Sequence, residues 1–188
     1  MLFSYDLEPV GWASVQLEIN SQRLFINPSY LSEPLIDLMN GVMSLLPECV
    51  PEDEVKKQSV FEWDSEPAIH KWILTRQSDT NLGIKVWLYK DGKIGEEGKV
   101  VFDQVCALND FINLLVVSLE NMLCKYGIVG YKANWLAADF PLSGYLKLKF
   151  YVKQKCAFPI QQLNKEEWNE YWHSNLDQEF EMLKNLLS

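Results

Sequence analysis

Polar and apolar residues alternate through V-G-W-A-S-V-Q-L-E-I-N at 10–20, and a second run, Arg23–Asn27, follows Asn20-Ser21. A period of two marks a half-buried strand, so these runs predict a hairpin with Val15, Leu17 and Ile19 on its covered face. The spacing then changes. Leu35, Leu38, Met39, Val42, Leu45 and Leu46 recur at helical period. Ser32 stands where an N-cap belongs, and Pro34 falls in the first turn, where a missing N–H is harmless. Pro47 and Pro51 stop this helix, and 47–58 reads as a polar connection.

Three strand-like runs come next, Ser59–Asp64, Ile69–Arg76 and Gly83–Tyr89, divided by turn signals at Ser65–Pro67 and Ser78–Asn81. In F-E-W-D-S-E-P-A-I-H-K-W-I-L (61–74), Phe61 and Trp63 take one face and Glu62 and Asp64 the other. His70 shares its face with Trp72 and Leu74. The stretch D-G-K-I-G-E-E-G-K at 91–99 predicts a mobile loop, and Val100–Phe102 a short edge strand. A second helix, with Asn109 as N-cap, carries Phe111, Leu114, Leu115, Leu119, Met122 and Leu123 as far as Tyr126-Gly127. It is apolar nearly all round, which predicts a central position. A short helix follows at 129–136.

Tyr145–Lys153 sets Leu146, Leu148, Phe150 and Val152 against Lys147, Lys149, Tyr151 and Lys153, which predicts a strand. Asn164 with Glu167 resembles a capping box opening a long C-terminal helix. Its stripe is Trp168, Tyr171, Trp172, Leu176, Phe180, Leu183 and Leu187. Helices and antiparallel runs are interspersed without βαβ regularity. The expected class is α+β: an antiparallel β-sheet of about five to six strands on two to three helices, with a long C-terminal amphipathic helix. Residues 1–188 read as one domain, with 146–188 a C-terminal extension of strand plus helix.

Composition suits a real core: 48% of the 188 residues are apolar and 13% aromatic. No basic-then-apolar leader opens the chain and no uninterrupted apolar run approaches a bilayer span, so the expectation is a cytoplasmic protein with no membrane partner. Cys49, Cys106, Cys124 and Cys156 are scattered, which predicts reduced, mostly packed thiols. The net charge of −9 is uneven: residues 1–80 hold 13 acids and 5 bases, a net of −8. Such a field disfavours nucleic acid and suits a basic protein partner; it also suits a solvated surface.

Specific chemistries find little support. Asp64, Glu66 and His70 are metal-ligating types, but a strand–turn–strand would need an unusual corner to converge them. Glu62 and Asp64 form a carboxylate pair on a solvated strand face, where nothing raises a pKa for acid catalysis. G-x-S-x-G and G-x-x-x-x-G-K-[ST] are absent, and no base stands ready for Cys124 or Cys156. Lys147, Lys149, Lys153 and Lys155, interleaved with Tyr145 and Tyr151, are the one nucleic-acid-like feature; lysine decoration of an edge strand explains them without any ligand and is the favoured reading. Trp12, Trp63, Trp72 and Trp87 suit either a ligand cavity or ordinary strand packing. The reading is therefore a non-enzyme with no catalytic, cofactor or metal site.

V-G-W near residue 10, S-Y-L-S-E-P-L-I-D-L at 29–38, F-E-W-D-S-E-P at 61–67 and Y-G-I-V-G-Y at 126–131 together resemble a group of uncharacterised bacterial proteins, over residues 10–145. In general properties the chain is similar to immunity proteins of contact-dependent growth-inhibition and polymorphic toxin systems, which occlude a toxin's active site. That similarity implies a basic toxin C-terminal domain as partner, met by Glu52, Asp53, Glu54, Glu62, Asp64 and Glu66. Two alternatives stay open: a small-molecule-binding or enzymatic domain with an aromatic pocket, and an oligomeric structural subunit. Monomer and homodimer are equally open.

Overall fold

The computed structural model describes residues 1–94, 97–164, 171–184 and 186. The chain is α+β, with three antiparallel sheets rather than one. Strands β1 (Leu2–Glu8), β2 (Trp12–Ile19) and β3 (Gln22–Ile26) form a meander in that order. Phe3, Tyr5, Leu7, Ala13, Val15, Leu17, Ile19, Leu24 and Ile26 supply its covered face, at the period of two that the predicted hairpin shows. β1 is an addition to that hairpin, and its own alternation L-F-S-Y-D-L-E marks it.

Helix α1 (Pro34–Met43) begins with Pro34 as expected, but Glu33 is its N-cap and makes no side-chain capping bond. Ser32 fails as a cap because its hydroxyl is engaged elsewhere, accepting the Asp64 N–H at 2.9 Å. Leu45 and Leu46 lie beyond the helix and are still fully buried. A 3₁₀ turn (Glu52–Glu54) then leads into β4 (Gln58–Ser65), β5 (Ala68–Arg76), β6 (Asn81–Tyr89) and β7 (Lys99–Ala107), a second meander. The largest sheet therefore has four strands, not five or six, and the expected short strand at 100–102 is a nine-residue edge strand. The predicted loop at 91–99 lies partly outside the described residues.

Helix α2 (Leu108–Trp135) runs past the predicted stop, with non-helical torsions at Gly127 (φ 67°, ψ 175°) dividing it where the sequence places a boundary. Its N-cap is Ala107, not Asn109, whose side-chain oxygen accepts from Tyr151 Oη and Lys155 Nζ. By length and composition α2 could cross a membrane. Its buried stripe, Phe111 to Leu123, packs against β1, β7 and the helix that follows.

That following element, α3 (Leu142–Gln154), corrects the predicted strand at Tyr145–Lys153. Leucine and lysine both favour helix, and Tyr145, Leu148 and Lys149 lie at helical spacing on the buried side. Counting by twos placed Lys149 with the solvent-facing lysines. In the fold it is 3% exposed, donating to Tyr145 Oη (2.9 Å) and the Met182 carbonyl (2.8 Å) and pairing with Glu120 at 3.0 Å. The C-terminal region differs as well. Tyr171–Ser174 is a strand (β9) paired with Ile160–Leu163 (β8), and only Leu176–Lys184 is helical (α4). Asn175 Oδ1 caps that helix through the Asp177 and Gln178 N–H groups, so the start lies after the predicted box. Glu167, Trp168 and Leu187 lie outside the described residues.

Three backbone bonds draw separate loops together at one end. Gly11 N–H donates to the Asn134 carbonyl (3.2 Å), Tyr30 N–H to Gly11 O (2.8 Å) and Ser29 N–H to Asp64 O (2.7 Å). Gly11 has φ +75°, and a Cβ there would stand 2.7 Å from the Tyr30 ring. Beside it Val10 holds φ 60°, and Leu136, just past α2, holds φ 74° with ψ −40°. Positive φ in a branched or bulky residue costs about 1–3 kcal/mol.

β1 is an edge strand, and α2 closes part of that edge. Ser118 Oγ accepts the Tyr5 N–H (2.8 Å) and donates to the Tyr5 carbonyl (3.3 Å), all of it buried. Ser118→Ala removes both bonds and leaves two buried backbone groups unpaired. The expected loss is about 1–3 kcal/mol of unfolding free energy, measured by urea denaturation.

Candidate functional site

The six acidic residues read as a partner surface fall into two groups. Glu52, Asp53 and Glu54 are exposed on the 3₁₀ turn, near the start of β4. Glu62, Asp64 and Glu66 lie toward its far end; the seven steps of β4 span about 23 Å at ~3.3 Å each. Glu62 is exposed but sits directly across from Lys71, so its charge is partly answered. Asp64 is half-buried and closes the β4–β5 corner, its Oδ1 accepting the Glu66 N–H at 3.0 Å. Glu66 is exposed at the tip.

His70 shares the core face with Trp72 and Leu74 and pairs across the ladder with fully buried Trp63. Its Nδ1 lies 3.0 Å from Ser65 Oγ, and burial lowers its pKa to about 4. It is a neutral side chain satisfied by its own hairpin. Among the described residues no group of three His, Cys, Asp or Glu side chains is placed to hold a metal ion.

Trp63 and Trp72 stand 4.5 Å apart, centroid to centroid, with Phe61 stacked on Trp72 at 5.9 Å and Tyr5 edge-on to Trp63 at 6.5 Å. These rings belong to the hydrophobic core, while Trp12 and Trp87 are half-buried elsewhere. Burial raises the thiol pKa of Cys49 to about 12 and of Cys106 to about 11, while Cys124 and Cys156 are exposed.

One acidic pair escaped the sequence reading. Glu33 and Asp37, one helical turn apart at the start of α1, stand beside the interior. Burial, then the charge of Glu33, raises the Asp37 pKa to about 6. Glu33 Oε2 accepts from Trp135 Nε1 at 3.0 Å. The same two acids bear on the Tyr5 hydroxyl, and Glu33 on that of Tyr131; both hydroxyls are buried without a hydrogen-bond partner. The signal available was E-x-x-x-D immediately around Pro34, ahead of the apolar stripe.

The lysine face of the predicted strand dissolves in the helix. Lys149 is interior, Lys155 donates to Asn109, and Lys147 lines a groove between α3, the 47–51 turn and the β8–β9 ribbon. Two adjoining hollows of about 330 and 260 Å³ share Lys147, Phe158 and Ile160. Glu48 and Trp172 line one; Ser174, hydrogen-bonded to Glu179, lines the other. A third hollow of about 300 Å³ between α2 and α4 is almost wholly apolar, walled by Leu123, Ile128, Phe180 and Leu183.

Comparison with protein-family models, curated proteins and solved structures finds no match to this chain.

The lowered pKa of His70 fixes a sign for acid stability. Its neutral form is favoured in the fold, so His70 subtracts stability as pH falls through the unfolded value of 6.5 towards about 4. His70→Gln keeps a polar partner for Ser65 and cannot charge. Urea midpoints at stepped pH are expected to show the variant gaining on the parent between those limits, and a constant difference above them.

Proposed function

We propose that this chain is an immunity protein: a non-catalytic binder that neutralises a bacterial toxin domain by covering its basic active-site surface. The observation that carries the reading is the net charge of −8 in residues 1–80, with Glu52, Asp53, Glu54, Glu62 and Glu66 open to solvent. Such a surface substitutes carboxylates for a toxin's phosphate-bearing substrate. Charge complementarity of this kind accelerates encounter more than it deepens final affinity, and it weakens with salt. The place of action is the cytoplasm, where a toxin of this class would meet its target.

The test is co-expression with the toxin-like domain encoded beside this gene. Growth rescue and a stable pulled-down complex are expected. Reversing Glu62 and Glu66 to Lys is expected to slow association about tenfold at low salt, read by stopped flow. Failure of rescue together with absence of a complex sinks the reading.

The groove supports a second reading, a small-molecule site. An ammonium at Lys147, a carboxylate at Glu48 with one oxygen buried and unpartnered, and the apolar walls of Phe158, Ile160 and Trp172 suit a small zwitterion with an aromatic body. Thermal-shift screening with aromatic amino acids and short peptides is expected to raise the Tm of the parent and not of Lys147→Ala. A panel without a stabilising ligand rejects it.

A further inference from the structure

We infer that the partner docks on the end of the molecule where the β1–β2 turn, the β3–α1 linker and the last turn of α2 meet. Val10, Tyr30, Leu31 and Leu136 form the apolar centre, and Glu8, Glu33, Asp64 and Glu66 form an acidic rim. The inference rests on the immunity reading for the partner's class, a basic protein, and narrows its acidic surface to one end of the molecule.

The juxtaposition is fixed by backbone. Gly11 N–H reaches Asn134 O and Tyr30 N–H reaches Gly11 O, so Val10, Tyr30 and Leu136 are brought to one place. The bonds from Ser29 to Asp64 O and from Glu66 to Asp64 Oδ1 bring the hairpin tip alongside. Four large apolar residues are open there: Val10 at 74%, Leu31 at 59%, Leu136 at 52% and Tyr30 at 44%. A contiguous exposed apolar patch with a polar rim is the usual anatomy of a protein interface.

The torsions add an independent point. Val10 and Leu136 both hold positive φ, the region that Gly enters without strain. Each is therefore the wrong residue for its backbone and the wrong residue for water. Val10 leaves most of its surface open and Leu136 about half, and a partner's apolar surface is what those open faces would serve.

Charge names the partner. Glu8 and Glu66 are exposed, while Glu33 and Asp64 are half-buried at the margin. The basic side chain nearest in sequence, Lys132, is turned to the Ala137 carbonyl at 2.5 Å. Exposed carboxylates beside apolar anchors fit a basic surface bearing an aromatic or aliphatic knob, the arrangement in which central anchors dominate affinity. Glu52–Glu54, at the other end of β4, stand outside this surface.

The experiment places p-benzoylphenylalanine, one position at a time, at Val10, Leu31 or Leu136 in cells that produce the protein. Phe25 and Val117, equally exposed but elsewhere, serve as controls. The expected result is one basic protein cross-linked from the first three positions and from neither control. That protein, purified, should bind the parent and lose at least tenfold in affinity against Val10→Asn with Leu136→Gly. The double variant's Tm should not fall, since both changes relieve the backbone. Absence of an adduct, equal adducts from the controls, an adduct with a second copy of this chain or with an acidic protein, or unchanged affinity of the double variant each overturns the inference. A cross-linked basic partner without toxicity would sink the immunity reading and leave the surface standing. A toxin neutralised equally well by the double variant would do the reverse.

Discussion

The three-stranded and four-stranded sheets share no backbone ladder, so everything that joins them is made by side chains, linkers and helix α2. At one margin Gln22 bridges the sheets: its amide nitrogen donates to Val101 O at 3.2 Å, and its oxygen accepts from Gln104 at 2.8 Å. At the other, Ser29 and Ser32 fasten the β3–α1 linker to Asp64. Between these clasps the Tyr5, Phe61, Trp63 and Trp72 rings fill the space. Such pairs each contribute about 0.5–1.5 kcal/mol beyond their burial, so the rings bind the layers while the polar clasps set their register. α2 then lies along β1, and α3 closes over α1 and α2.

Regular alternation made the strands legible. β2, β4, β5 and β6 each keep one face covered, and their sequences say so residue by residue. The misread elements share a cause: the pattern was true of two structures. In Tyr145–Lys153, alternating leucine and lysine satisfies a strand by hydropathy and a helix by propensity. The deciding fact, a lysine held inside by an ion pair to Glu120 and hydrogen bonds to Tyr145 and the Met182 carbonyl, exists only in three dimensions. The apolar series at Trp172, Leu176 and Phe180 likewise keeps helical spacing across a strand and a helix. The caps at Ser32 and Asn109 were right in residue type and wrong in partner, because each side chain is bonded to a distant segment.

The site was legible in charge and illegible in place. Counting acids found the excess in residues 1–80, but proximity in sequence joined Glu52–Glu54 to Glu62–Glu66, which β4 holds apart along its length. Asp64 looked like surface charge and is half a hairpin corner. Glu33 and Asp37 drew no reading from the sequence, yet their charges bear on buried Tyr5. The convergence of Val10, Tyr30 and Leu136 had no sequence signal, since it depends on non-local backbone bonds, that from Gly11 to Asn134 joining the β1–β2 turn to the end of α2.

Gly127 ties these layers together. A Cβ at this position would meet nothing within 4 Å, so no neighbour demands glycine. The demand is torsional: φ 67° with ψ 175° belongs to a region that side-chain-bearing residues scarcely enter. Gly127 thus acts as an elbow whose angle is written in the main chain rather than in packing. Residues 128–135 swing as one lever from that elbow, carrying Tyr131 into the interior, Trp135 to Glu33 and Leu136 to the surface. A Cβ would fit the space and still mis-aim the lever, so the geometry of a remote surface hangs on a torsion rather than on a contact.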